Sequence, residues 1–136
     1  MKIGIASDHR GVILKEKIKN YLNNRYQIID YGTNSIESVD YPQYAYKIGE
    51  SVRDNKIDLG ILICGTGIGM SIACNKVKKV RCAKVTTKEE AFLARSHNNA
   101  NVIALSENIT NYKEIIDTFL TTDFSKEEKH QRRVEM

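Results

Sequence analysis

Cysteine is scarce in this chain: Cys64, Cys74 and Cys82 are odd in number and irregularly spaced. They make no disulfide framework, and they point to a reducing, cytoplasmic setting. Histidine is equally sparse. His9, His97 and His130 lie far apart, so no zinc pattern forms, and no metal or other cofactor is expected. No apolar run approaches the roughly 18 residues that a membrane span needs. The N-terminus enters strand-like sequence at once, so no signal peptide is expected either. The net charge of +4 is modest. Its basic residues are spread along helix faces rather than gathered in a stripe, which argues against nucleic acid as a partner.

What is present suits a globular domain. The 136 residues are 41% apolar and 28% charged, enough for one core without staples, and a single domain over residues 1–136 is expected. Lys2 to Ser7 is strand-like, and Leu14, Ile18, Tyr21 and Leu22 then fall at helical spacing over 12–23. Gln27 to Tyr31 is a second strand. The only proline, Pro42, suits the first turn of a helix that carries Ala45, Ile48 and Val52 on one face. Leu59 to Cys64 is a third strand, followed by a helix over about 69–77, and Val80 to Val85 is a fourth strand. Thr87-Lys88-Glu89-Glu90 reads as a capping box that opens a helix to about Arg95. Asn101 to Leu105 is the fifth strand. Tyr112, Ile115, Ile116, Phe119 and Leu120 mark the clearest helix. A second capping box, Ser125 to Glu128, opens a short terminal helix from about 126. Five alternations of strand and helix predict a Rossmann-like α/β domain, a three-layer α/β/α sandwich around a five-stranded parallel sheet.

The third strand ends in Cys64-Gly65-Thr66-Gly67-Ile68-Gly69, and here too the absences discriminate. The third glycine comes one place too early for a dinucleotide fingerprint, and no Gly-Lys-Ser/Thr follows for a Walker loop. Met70 stands where a cysteine phosphatase needs an arginine. Cys64 occupies the place where a receiver domain needs a phosphorylatable aspartate. What remains is a thiol beside an anion cradle, suited to a general base with its own oxyanion hole. An apolar strand can also end in an inert buried cysteine, the reading that suits Cys74 and Cys82 better. In open α/β sheets ligands sit at the carboxyl ends of strands. Asp8 and His9 end the first strand there, while Cys64 ends the third. His97 precedes the fifth strand and so belongs at the opposite end, which requires a long excursion or a neighbouring subunit to bring it to Cys64.

Several short motifs in one order resemble the type B ribose-5-phosphate isomerase family, which also covers allose-6-phosphate and galactose-6-phosphate isomerases. They are Ser7-Asp8-His9, Asp30-Tyr31-Gly32-Thr33, Asp40-Tyr41-Pro42, Ile63 to Gly69, Asn75-Lys76, His97-Asn98 with Asn101-Val102, and His130 to Glu135. The resemblance covers essentially the whole chain. It implies a metal-free aldose–ketose isomerase of the pentose phosphate pathway that works through a cis-enediolate. Cys64 would be the base, Thr66 would assist the proton shuttle between oxygens, and the amides of Gly65, Thr66, Gly67, Ile68 and Gly69 would hold the enediolate. His97, helped by Asp8, would open the furanose ring, while His9, Asn98, Lys129 and Arg133 would hold the sugar phosphate. It also implies a homodimer, or a dimer of dimers, with sites shared between subunits.

Two positions depart from the family pattern. Asn108 and Lys129 stand where arginine is usual, and lysine lacks the fork that suits phosphate. A chain that carries both Cys64 and His97 fits the self-sufficient pentose-phosphate enzyme better than the galactose-6-phosphate enzyme, which divides its catalytic residues between unlike subunits. An allose-6-phosphate or galactose-6-phosphate isomerase and a non-catalytic sugar-phosphate binding module stay as alternatives.

Overall fold

A computed structural model describes all 136 residues. Five parallel strands, β1 (Lys2–Ser7), β2 (Gln27–Asp30), β3 (Leu59–Cys64), β4 (Cys82–Lys84) and β5 (Val102–Ser106), lie in the order β2-β1-β3-β5-β4. Six helices accompany them: α1 (Val12–Leu22), α2 (Tyr41–Arg53), α3 (Ile68–Cys74), α4 (Lys88–Ser96), α5 (Tyr112–Thr121) and α6 (Glu128–Glu135). The expected three-layer α/β/α sandwich is the observed one.

Side-chain alternation along the strands builds two cores. On β3, Leu59, Ile61 and Ile63 face α1, α4 and α5, packing with Ile18, Leu22, Ala91, Ile115 and Phe119. Leu62 and Cys64 face the other way, toward α2 and α3, among Ala45, Ile48, Met70 and Ala73. β3 is buried along its whole length because it is the central strand, flanked by β1 and β5. Pairing of Ser7 with Ile63, and of Cys64 with Ser106, puts the ends of β1, β3 and β5 side by side. β1 and β3 are neighbours whose following strands lie on opposite sides, so the crevice above them is a topological switch point, where ligands of such sheets bind.

Local differences from the sequence expectation have identifiable causes. α3 stops at Cys74, three residues early, and the edge strand β4 spans three residues rather than six. The side chain of Asn75 takes both backbone groups of Cys82, and Asn101 Oδ1 takes the Arg81 N–H, so side chains replace ladder bonds at the strand's start. Thr87 caps α4 as expected, accepting from the Glu90 N–H, but Glu90 returns its bond to Thr86. The second capping box does not form. The Ser125 hydroxyl is engaged with His130 Nδ1 at 2.8 Å, and α6 starts at Glu128 without a side-chain cap.

Candidate active site

Cys64 is 5% exposed at the C-terminal tip of β3. The loop after it folds back so that the Gly67 N–H donates to the Cys64 sulfur at 3.2 Å. That turn requires a left-handed residue, and Gly67 has φ +83. A Cβ at Gly67 would also stand 3.1 Å from the Leu105 carbonyl carbon, so the end of β5 reinforces the choice of glycine. Thr66 Oγ1 accepts from the Ile68 N–H at 3.1 Å. The N–H groups of Gly65, Thr66 and Gly69 make no hydrogen bond within the chain and are available to an anion. Ser106 donates its hydroxyl to the Gly65 carbonyl at 2.8 Å, and the Glu107 N–H donates to the Cys64 carbonyl, tying this loop to the one after β5.

Asp8 lies next to this loop, its N–H donating to the Ile63 carbonyl. It caps the short 3-10 turn His9–Gly11, where its Oδ1 accepts from the N–H groups of Arg10 and Gly11. His9 Nδ1 accepts from the Val39 N–H at 3.2 Å, which in the neutral ring places the proton on Nε2. Cys64, Thr66, the glycine loop, Asp8 and His9 are thus brought to one edge of the sheet, as expected. Sequence reasoning missed Arg10. Its guanidinium packs on Gly65, so closely that a Cβ there would stand 2.7 Å from Nη1, and it forms a two-point pair with Glu107. Those contacts with Glu107 hold its pKa above the usual guanidinium value.

The remaining expected residues gather elsewhere. His97 is the C-cap of α4, and since α4 leads into the start of β5, it lies at the opposite edge from Cys64. Its ring stacks on His130, with centroids 4.1 Å apart and planes 28° from parallel. His97, Asn98, His130, Arg133, Arg81 and Val134 line a small cavity of about 240 Å³. Arg81 Nε donates to the Asn98 carbonyl and fixes that wall. Of the tail cations, Arg133 faces this cavity, Arg132 is paired with Glu128 on its own helix, and Lys129 is exposed. Burial, then the neighbouring His97, Lys129 and Arg133, pull the His130 pKa below the ordinary imidazole value, against the opposing pull of Glu127. One chain therefore carries two separate groups of candidate residues, one around the Cys64 thiol and one around the His97 imidazole, on opposite edges of its sheet.

Cys74 and Cys82 fit the inert reading. Cys74 is fully buried, and the Cys82 thiol is pushed up by its hydrogen bond with Cys74 and by burial.

Comparison with known proteins gives the chain a family. The profile of the Ribose/Galactose Isomerase family matches residues 3–136. Ribose-5-phosphate isomerase B of Escherichia coli is 41% identical, over 98% of this chain and 92% of its own length. The Thermotoga maritima ribose 5-phosphate isomerase structure superposes with a TM-score of 0.95 at 48% identity, covering 98% of this chain and 94% of that one. The Mycoplasma genitalium ribose-5-phosphate isomerase B structure, with bound ribulose-5-phosphate, gives a TM-score of 0.91 at 42% identity, covering 98% and 91%. With this fold and coverage from end to end, the chain belongs to the ribose/galactose isomerase family, among its type B ribose-5-phosphate isomerases.

Proposed function

We propose that the protein interconverts ribose 5-phosphate and ribulose 5-phosphate through a cis-enediolate, with Cys64 as the base. The observation that carries this reading is the Cys64 sulfur held by Gly67 N–H inside a loop with three further unpartnered amides. The Cys64 thiolate takes the C2 proton of the open aldehyde and returns a proton to C1. Thr66 moves the proton between O1 and O2. Negative charge on the enediolate oxygen falls to the loop N–H groups, and one lost donor of this kind costs other enzymes about 3 kcal/mol.

A cyclic pentose has no acidic C2 proton until its ring opens. His97 performs that opening, with Asp8 as its helper and Asn98, His9, Lys129 and Arg133 holding the sugar phosphate. Because His97 and Cys64 sit on opposite edges of one sheet, this reading needs a homodimer that joins the thiol half of one chain to the imidazole half of another. Exposed apolar side chains beside each half support it: Ile68 and Ile72 on α3, one turn apart, and Phe92 and Leu93 on α4.

Incubation with ribose 5-phosphate in heavy water, with a chelator present, should give ketose carrying deuterium at C1 and, on reversal, ribose 5-phosphate carrying it at C2. Binding without turnover would instead indicate a non-catalytic sugar-phosphate module. A parallel series with allose 6-phosphate and galactose 6-phosphate fixes the preferred sugar, and a preference for either hexose overturns the pentose assignment.

A further inference from the structure

We propose that Arg10 is a substrate-contacting cation of this site, presenting its Nη1 edge to the anionic sugar phosphate above Gly65, and that Glu107 is the residue that aims it. The proposal rests on the isomerase reading above. Arg10 leaves β1 within the same short turn as His9 and crosses to the loop after β5. Glu107 engages only one edge of the guanidinium: Nε donates to Oε2 at 3.0 Å and Nη2 to Oε1 at 2.9 Å. Nη1 makes no hydrogen bond within the chain and lies 2.7 Å from where a Cβ on Gly65 would stand. The free edge therefore lies over the loop that holds Cys64, and its donors are unspent.

Stability alone gives this arrangement little purpose. The Arg10 side chain is 55% exposed, and ion pairs that open to solvent add little to folding. A guanidinium clamped on one edge is instead pre-organised on the other, which lowers the ordering cost of gripping a phosphate. Glu107 is itself anionic, so it helps an anion bind only through Arg10. Without Arg10 it faces the ligand as a bare negative charge.

That change of sign is the test. KM and kcat for ribose 5-phosphate are compared in Arg10→Ala, Glu107→Gln and the double variant, with thermal unfolding as the control for folding. Arg10→Ala should raise KM by about ten- to a hundredfold, the range for losing a charged hydrogen bond, with kcat changed far less. Arg10→Lys should fall between. Glu107→Gln should raise KM a few fold in the parent protein but lower it in the Arg10→Ala background. An unchanged KM in Arg10→Ala, or the same effect of Glu107→Gln in both backgrounds, overturns the proposal. Calorimetric titration of the same variants with ribose 5-phosphate applies this criterion to binding alone. Weaker binding in Arg10→Ala without turnover in the parent would overturn the isomerase reading and keep Arg10, whereas no binding to the parent overturns both.

Discussion

The Gly67 N–H and the Cys64 sulfur are 3.2 Å apart, so the residue that turns the loop also supplies the thiol's hydrogen bond. Gly67→Ala should therefore damage fold and site together. An alanine at φ +83 costs about 1–2 kcal/mol in backbone conformation, and its Cβ would press on backbone of β5 that cannot rotate away. Denaturant midpoints should show at least that loss, and kcat should fall further than residual folding explains. A variant with parental stability and parental kcat would remove this role for Gly67.

Cys64→Ala and Cys64→Ser separate the proposed base from the packing around it. Both should keep the fold, since the site is small and the neighbours Ala45, Met70 and Ala73 remain. Removing a general base lowers turnover by about 10²–10⁴-fold. Stopped-time conversion of ribose 5-phosphate measures this, and full activity in either variant would exclude Cys64 as the base.

Burial of His130, and then its neighbour His97, should give the fold a pH dependence with a defined sign. The folded-state pKa of His130 is lowered, so the unfolded chain binds a proton more readily than the folded one. Stability is therefore complete above the ordinary imidazole value of about 6.5 and declines as pH falls through it toward the lowered one. Denaturant midpoints across that interval should fall in the parent protein, and the fall should be shallower in His130→Gln. A parallel fall in both would show that another group is responsible.

These relationships differ in how far the sequence discloses them. The strand–helix alternation, the cradle after Cys64 and the placing of His97 at the far edge all follow from short-range pattern and the rules of parallel sheets. Arg10 does not. Its neighbours in the sequence read as a surface turn, and its partner Glu107 is 97 residues away, so only the folded sheet joins them. The same pair bears on Asn108, because a guanidinium stands beside that loop by coming from the turn after β1. Lys15 was equally hidden. Among the lysines of α1 it reads as part of the polar face, yet its side chain is fully buried.

Lys15 Nζ donates to both Asp30 oxygens, at 2.8 and 2.9 Å, and to Asn34 at 2.7 Å, while Lys19 adds a second cation to Asp30. Burial pushes the Asp30 carboxyl up, but Lys15, Lys19 and the Gly32 N–H outweigh it and hold the pKa below the usual carboxylate value. This contribution is present above the unfolded carboxylate pKa and is lost as pH falls through the lowered folded one. Lys15→Met should destabilise the protein by up to about 3 kcal/mol, toward the lower end for a broken buried pair because Asp30 keeps Lys19 and some solvent. Urea unfolding at neutral pH checks the size, and a cost near zero would mean that Lys19 alone suffices for Asp30.

Asp8 caps a turn and, in the proposed mechanism, helps His97, and two substitutions divide these duties. As the cap of the His9–Gly11 turn it needs only an acceptor oxygen, so Asp8→Asn should keep stability and Asp8→Ala should lose about 1 kcal/mol. As the helper of His97 it needs its negative charge, which Asn lacks. Asp8→Asn should then slow turnover of ribose 5-phosphate, most of which is a closed ring. It should spare turnover that starts from ribulose 5-phosphate, because a ketose with a phosphorylated O5 cannot close a furanose and needs no opening. His97→Ala should show the same imbalance between the two directions when kcat is compared at saturating substrate, because the equilibrium constant fixes the ratio of the two kcat/KM values. An Asp8→Asn protein slowed equally in both directions would place Asp8 in the proton transfer at C1 and C2 rather than in ring opening. One with unchanged rates would leave it the turn cap alone.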